Sequence, residues 1–152
     1  MNKITRTSIR RIFLSPRPHV ALMTAADLLG ITLQALKREI AEGSIVTVST
    51  GSGVRVTKEE LIAAALQTWP QAAIEEALGE EAHRVLPEAI RLVDLRARVP
   101  LYQREMLLCL ARLNQTSVDE VLTRELEDVA SAHAEELAAA MPGFEDALAW
   151  PE

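Results

Sequence analysis

The sequence predicts a mainly α-helical chain with one small β-hairpin, an α+β fold. Three observations carry that expectation. Apolar residues recur at spacings of three and four in Ala35–Ile40, in Met106–Leu113 and from Leu122 to Met141. Residues 45–57 instead alternate apolar and polar residues on either side of Thr50-Gly51-Ser52-Gly53. Hydrophobic residues make up 49% of the chain and aromatic ones 3%, so the core must be built from Ala, Leu, Val and Ile. That composition suits helices.

The elements follow in order from Leu22. Thr24 with Asp27 three residues later approximates a capping box and places a helix start at Ala25. Leu28 and Leu29 give this helix an apolar side, and Gly30 ends it as a residue that tolerates positive φ. Ile31 fills the turn and Thr32 caps the next helix. There Ala35, Leu36 and Ile40 fall on one side, which turns Gln34, Lys37 and Arg38 outward, and Gly43 closes the helix. Strands follow at residues 45–49 and 54–57, with Thr50 to Gly53 as turn chemistry. A phosphate-cradling loop would need more glycines and a lysine at fixed spacing. Thr57 with Glu60 forms a second capping box and starts a helix over residues 58–68.

Helix, tight turn, helix, hairpin and helix is the order of a winged helix-turn-helix. Residues 22–66 resemble the excisionase and MerR-type winged helix-turn-helix family. The likeness rests on Leu22-Met23-Thr24 leading into Ala25 through Ile31, on Thr32 through Ile40, and on Arg55 through Leu61 at the exit of the hairpin. In that family the second helix and the wing contact DNA. By position the resemblance implies DNA contacts from Gln34, Lys37 and Arg38, and from the wing residues Thr50, Ser52 and Arg55. Nothing in the chain resembles the long dimerisation helix of full-length MerR activators.

Charge is unevenly distributed. The whole chain is acidic, with 16 Lys and Arg against 22 Asp and Glu, net −6. Residues 1–58 hold nine Lys and Arg against three Asp and Glu, net +6, which leaves −12 for the remainder. A basic head on an acidic body suits a DNA-contacting module joined to an assembly module. Lys3, Arg6, Arg10, Arg11 and Arg17 make residues 1–21 a basic N-terminal arm. Such an arm either meets phosphates or a minor groove, or is solvated and touches nothing.

The second half has its own pattern. Residues 70–91 read as an acidic helical connector punctuated by Pro70, Gly79 and Pro87. Val93, Leu95, Ala97 and Val99 alternate with Asp94, Arg96 and Arg98 up to Pro100, as a strand would, although Pro87 to Val99 also reads as one helix. A helix over 102–113 follows, with Met106, Leu107, Leu110 and Leu113 on one side. Asn114-Gln115-Thr116 breaks it, and Ser117 with Glu120 is a third capping box. A long helix then runs to about Ala140, its apolar stripe marked by Leu122, Leu126, Val129, His133, Leu137 and Met141. Residues 92–140 loosely resemble the ribbon-helix-helix family, with Arg96 to Pro100 as ribbon and Leu107 to Glu127 as the two helices. The resemblance implies an obligate dimer joined through Val93, Leu95, Ala97 and Val99, supported by Leu122, Leu126 and Val129. It also implies a second DNA-contacting pair, Arg96 and Arg98. The tail from Met141 carries Phe144, Leu148 and Trp150, and either docks on its own domain or serves a protein partner.

Enzyme signatures are missing. His19, His83 and His133 lie in no metal-ligand spacing, and no Ser, His and Asp constellation stands out, so neither catalysis nor a metal or cofactor is expected. The lone Cys109, on the apolar side of its helix, reads as a small buried hydrophobe and leaves no disulfide framework. No apolar run is long enough to span a membrane. The sequence therefore predicts a cytoplasmic, nucleoid-associated DNA-binding regulator that dimerises through residues 92–152. An antitoxin-like adaptor working through the C-terminal helix and tail, and a sequence-tolerant architectural DNA binder, are the alternatives.

Overall fold

A computed structural model describes residues 3–151, apart from the side chains of Lys3, Ile4 and Asp146. The chain forms two compact units, one reaching Leu92 and including Ala149 onward, the other covering Val93–Leu148.

The first unit begins with a helix, α1 (Lys3–Leu14), where an arm was expected. Ile9, Ile12 and Phe13 stand at i, i+3 and i+4, and each is at most 1% exposed. This face packs on three later helices: α2 (Leu22–Leu29), α4 (Lys58–Thr68) and α5 (Gln71–Leu78). Between α2 and α4 come α3 (Leu33–Ala41), β2 (Thr47–Thr50) and β3 (Gly53–Thr57). A three-residue strand, β1 (His19–Ala21), precedes α2 and completes an antiparallel sheet in the order β1-β3-β2. Its register sets His19 opposite Thr57 and Ala21 opposite Arg55.

β1 runs straight into α2, so α2 starts at Leu22, a turn earlier than expected, and no side chain caps it. Gly30, at φ 71°, ends α2, and the Ile31 N–H closes the turn on the Ala26 carbonyl at 3.0 Å. α3 opens as expected, the Thr32 hydroxyl accepting from the Ala35 N–H at 3.1 Å. The hairpin is shifted by two residues at its start. Ile45 is buried in the core rather than paired, and the Val46 N–H donates to Glu60 Oε2 at 2.9 Å. That contact takes the carboxylate that a capping box at Thr57 requires, so the box is half formed: Thr57 Oγ1 accepts from the Glu60 N–H at 3.3 Å.

The expected connector belongs to the same core. Ile74, Ala77 and Leu78 of α5, together with Leu86 after α6 (Ala82–Val85), join Phe13, Leu36, Val56 and Leu61 in one buried cluster. Residues after α6 stay on this unit: the Gln71 side chain donates to the Ile90 carbonyl, and the Leu92 N–H donates to Glu75 Oε1 at 2.7 Å. Trp150 packs against the same cluster, its ring 6.5 Å from that of Phe13.

The second unit opens with residues 93–100, which form neither the strand nor the helix that the alternation left open. A strand exists only beside a hydrogen-bonding neighbour, and no described strand pairs with this segment. α7 (Leu101–Leu113) and α8 (Val118–Ala132) follow, joined through Gln115 at φ 53°, whose left-handed backbone lets the Thr116 N–H reach the Ala111 carbonyl at 2.9 Å. The box at Ser117 and Glu120 is complete. The single long helix expected to Ala140 breaks at His133, leaving α9 (Ala134–Ala140), and α10 (Phe144–Ala149) ends the chain's helices. His133 is exposed and pairs with Glu136 at 2.7 Å instead of lying on an apolar stripe. Cys109 is likewise exposed, not buried. Among the described residues of this unit, Ala111 and Val121 are the buried hydrophobics. No described helix is long and apolar enough to cross a membrane.

Phe13→Ala removes the largest fully buried side chain of the first unit. It should lower the unfolding free energy by about 3–5 kcal/mol, read in a urea titration from the fluorescence of Trp69 and Trp150. Arg11→Ala, on the exposed side of α1, should change it by under about 0.5 kcal/mol.

Candidate nucleic-acid interface

α3 is oriented by Leu36, which is fully buried. With that residue pinned, Gln34, Lys37 and Arg38 lie on the exposed side, as the helical spacing predicts. Gly43 at φ 80°, with the Ser44 N–H on the Glu39 carbonyl at 2.9 Å, ends the helix without fraying that face. The electrostatics are mixed. Arg38 stands 4.0 Å from Glu39 and 3.9 Å from Glu42, an exposed and loose arrangement. Such pairs are weak and yield readily to a phosphate.

The three wing residues form one constellation. Thr50 and Gly53 are cross-strand partners, so Gly51 and Ser52 make a two-residue turn. Arg55 Nη2 donates to Ser52 Oγ at 2.8 Å, Ser52 Oγ lies 3.1 Å from Thr50 Oγ1, and Thr50 Oγ1 donates to the Gly53 carbonyl at 2.9 Å. Because the Thr50 proton goes to that carbonyl, Ser52 is the donor in the middle contact. The chain of bonds runs from guanidinium to backbone and holds the tip in one shape. Arg55 lies across the sheet between Val48 and Ala21, its register partners on either side.

Arg10 donates to the carbonyls of Ala77 at 3.2 Å and Leu78 at 3.0 Å, so it caps the C-terminal end of α5. Arg11 and Arg17 line a cleft on the α1–β1 side, while Arg6 is exposed. The side chain of Lys3 lies outside the described residues. Arg96 and Arg98 are exposed in the irregular segment of the second unit.

Lys58 and His19 escaped sequence reasoning. Both line the cleft with Arg11 and Arg17, and Lys58 Nζ also donates to the Ser15 carbonyl at 2.9 Å. A signal for Lys58 was present: it is the first residue of α4, where a cation opposes the helix dipole. No group of three or more His, Cys, Asp or Glu able to hold a metal occurs among the described residues. Comparison with family models, with curated proteins and with solved structures finds no match.

Thr32→Ala should cost about 1 kcal/mol of stability, measured by thermal melting.

Proposed function

We propose that this chain is a dimeric DNA-binding protein, a transcriptional regulator whose first unit works as a winged helix-turn-helix of the excisionase and MerR type. The observation that carries the reading is the exposed row Gln34, Lys37 and Arg38 on α3, mounted on the same buried cluster as the stiffened wing tip of Thr50, Ser52 and Arg55. Binding is the whole mechanism. Lys37, Arg38 and Arg55 neutralise phosphates, and Gln34 presents an amide that matches the edge of adenine in a major groove. Both partners of Arg38 are carboxylates within four residues of it, so DNA contact exchanges weak local pairs for stronger ones. The proposed site of action is the cytoplasmic nucleoid.

The second unit is proposed as the dimerisation module. Val93 is 85% exposed and Leu95 67%, while Ala97 and Val99 are also exposed. On α8, Leu126 and Val129 are exposed as well, beside half-buried Leu122. A second copy supplies both an antiparallel neighbour for residues 93–99 and cover for these side chains. The C-terminal tail already has an intramolecular partner, since Trp150 packs on Phe13. That contact counts against an adaptor role for the tail.

Fluorescence anisotropy with a random duplex, titrated at several salt concentrations, tests the DNA reading. Log affinity should fall linearly with log salt, and Lys37→Ala/Arg38→Ala should make the slope shallower by about two units. Salt-independent binding, or a variant identical to wild type, overturns the assignment to α3. Light scattering tests the dimer: wild type should show twice the 16.7 kDa chain mass, and Leu95→Asp/Leu126→Asp should show it once.

A further inference from the structure

We propose that the cleft enclosed by α1, β1, α2 and α4 binds a small amphipathic anion, a carboxylate or phosphate ester carrying an aliphatic or aromatic body. The cleft has a volume of about 420 Å³, within the range of small-molecule sites. Its walls and its rim differ in kind. Ile12, Leu14, Val20, Leu28 and Leu61 supply apolar surface. Arg10, Arg11, Arg17, His19 and Lys58 supply basic groups, with the hydroxyls of Ser15 and Thr24 among them. No described carboxylate lines it, in a chain where acidic residues outnumber basic ones by 22 to 16.

Two of the cations are fixed in place by backbone carbonyls, with no carboxylate partner. Lys58 donates to the Ser15 carbonyl, which leaves its charge whole, while Arg10 donates to the Ala77 and Leu78 carbonyls at the C-terminal end of α5, whose dipole offsets part of its charge. Lys58 also sits on the N-terminal end of α4, where the helix dipole adds to its field instead of offsetting it. An anion in this cleft meets several basic groups and no competing carboxylate among its lining residues. The apolar walls select the rest of the ligand. Inorganic phosphate leaves them wet, and a DNA backbone brings no apolar body to fill them. An occupant would lie one strand from the wing, since His19 of the cleft pairs with Thr57 of β3. The inference stands on the cleft alone and does not require the DNA reading.

Isothermal titration of the full chain with sodium octanoate tests it, with octan-1-ol and inorganic phosphate as separate titrants. Octanoate should bind once per chain, and each control at least about tenfold more weakly, as expected when one charged hydrogen bond or one apolar body is removed. Arg11→Ala/Arg17→Ala, at exposed rim positions, should weaken octanoate by about tenfold or more without lowering the melting temperature. Thr24→Glu, which places a carboxylate in the cleft, should abolish binding. Lys37→Ala/Arg38→Ala should leave octanoate affinity unchanged, which separates this site from α3. Absence of octanoate binding, equal affinity for octanol or phosphate, or indifference to both cleft variants overturns the proposal.

Discussion

Because Ile9, Ile12 and Phe13 are sealed from water at the centre of the first unit, the elements they touch are held as one body. α1 contacts α2, α4 and α5, and those helices in turn fix β3, α3 and the turn into α6. Arg10 ties the same helix to the end of α5 by two hydrogen bonds. α1 therefore works as a central strut with a greasy side and a basic side. The greasy side sets where α3 and the wing stand relative to each other. The basic side forms one wall of the cleft. Interiors packed at native density transmit such constraints instead of absorbing them.

The proposed DNA face depends on a balance that net charge alone misjudges. An overall charge of −6 opposes approach to DNA, yet affinity comes from cations within reach of phosphates and falls off beyond a Debye length of about 8 Å. α5 and its flanks bring Glu75, Glu76, Glu80 and Glu81 into the first unit, so the basic head read from residues 1–58 is not a separate body. What remains local to α3 is two cations and two carboxylates, Lys37 and Arg38 against Glu39 and Glu42. A modest, salt-sensitive affinity follows from that count, strengthened where Arg55 at the wing adds a third cation. In the proposed dimer two copies would multiply it, because the second contact is made within one assembly.

Legibility in the sequence tracked the range of the interactions involved. α3 and its caps were readable because Thr32, Leu36 and Gly43 act within a turn or two of one another. The complete box at Ser117 was readable for the same reason. α1 was hidden by its charges: the arginines drew attention, while Ile9, Ile12 and Phe13 already spelled the helical period. β1 was not readable, since three residues carry no period and their partners on β3 lie 34 to 38 positions away. The Thr57 box failed through a distant competitor, the Val46 N–H, for the Glu60 carboxylate. The exposed row on α3 was anticipated residue by residue, whereas the cleft draws on four elements and no motif announces it.

The two units differ most in how they are held. The first buries Phe13, Leu36, Ile74 and thirteen further hydrophobics in one cluster. The second buries Ala111 and Val121 over residues 93–148, while Leu101, Leu113, Leu126 and Val129 remain exposed. Ordering each residue costs roughly 1–2 kcal/mol of backbone entropy at room temperature, and hydrophobic burial is the main term that offsets it. A helical hairpin capped well at Ser117 and closed through Gln115 has good local structure but little burial to sustain it. On the proposed reading, the burial this unit lacks comes from a second copy of the same apolar residues. A symmetric pair of chains would supply it with no new chemistry, because the same apolar patch then meets itself across a two-fold axis.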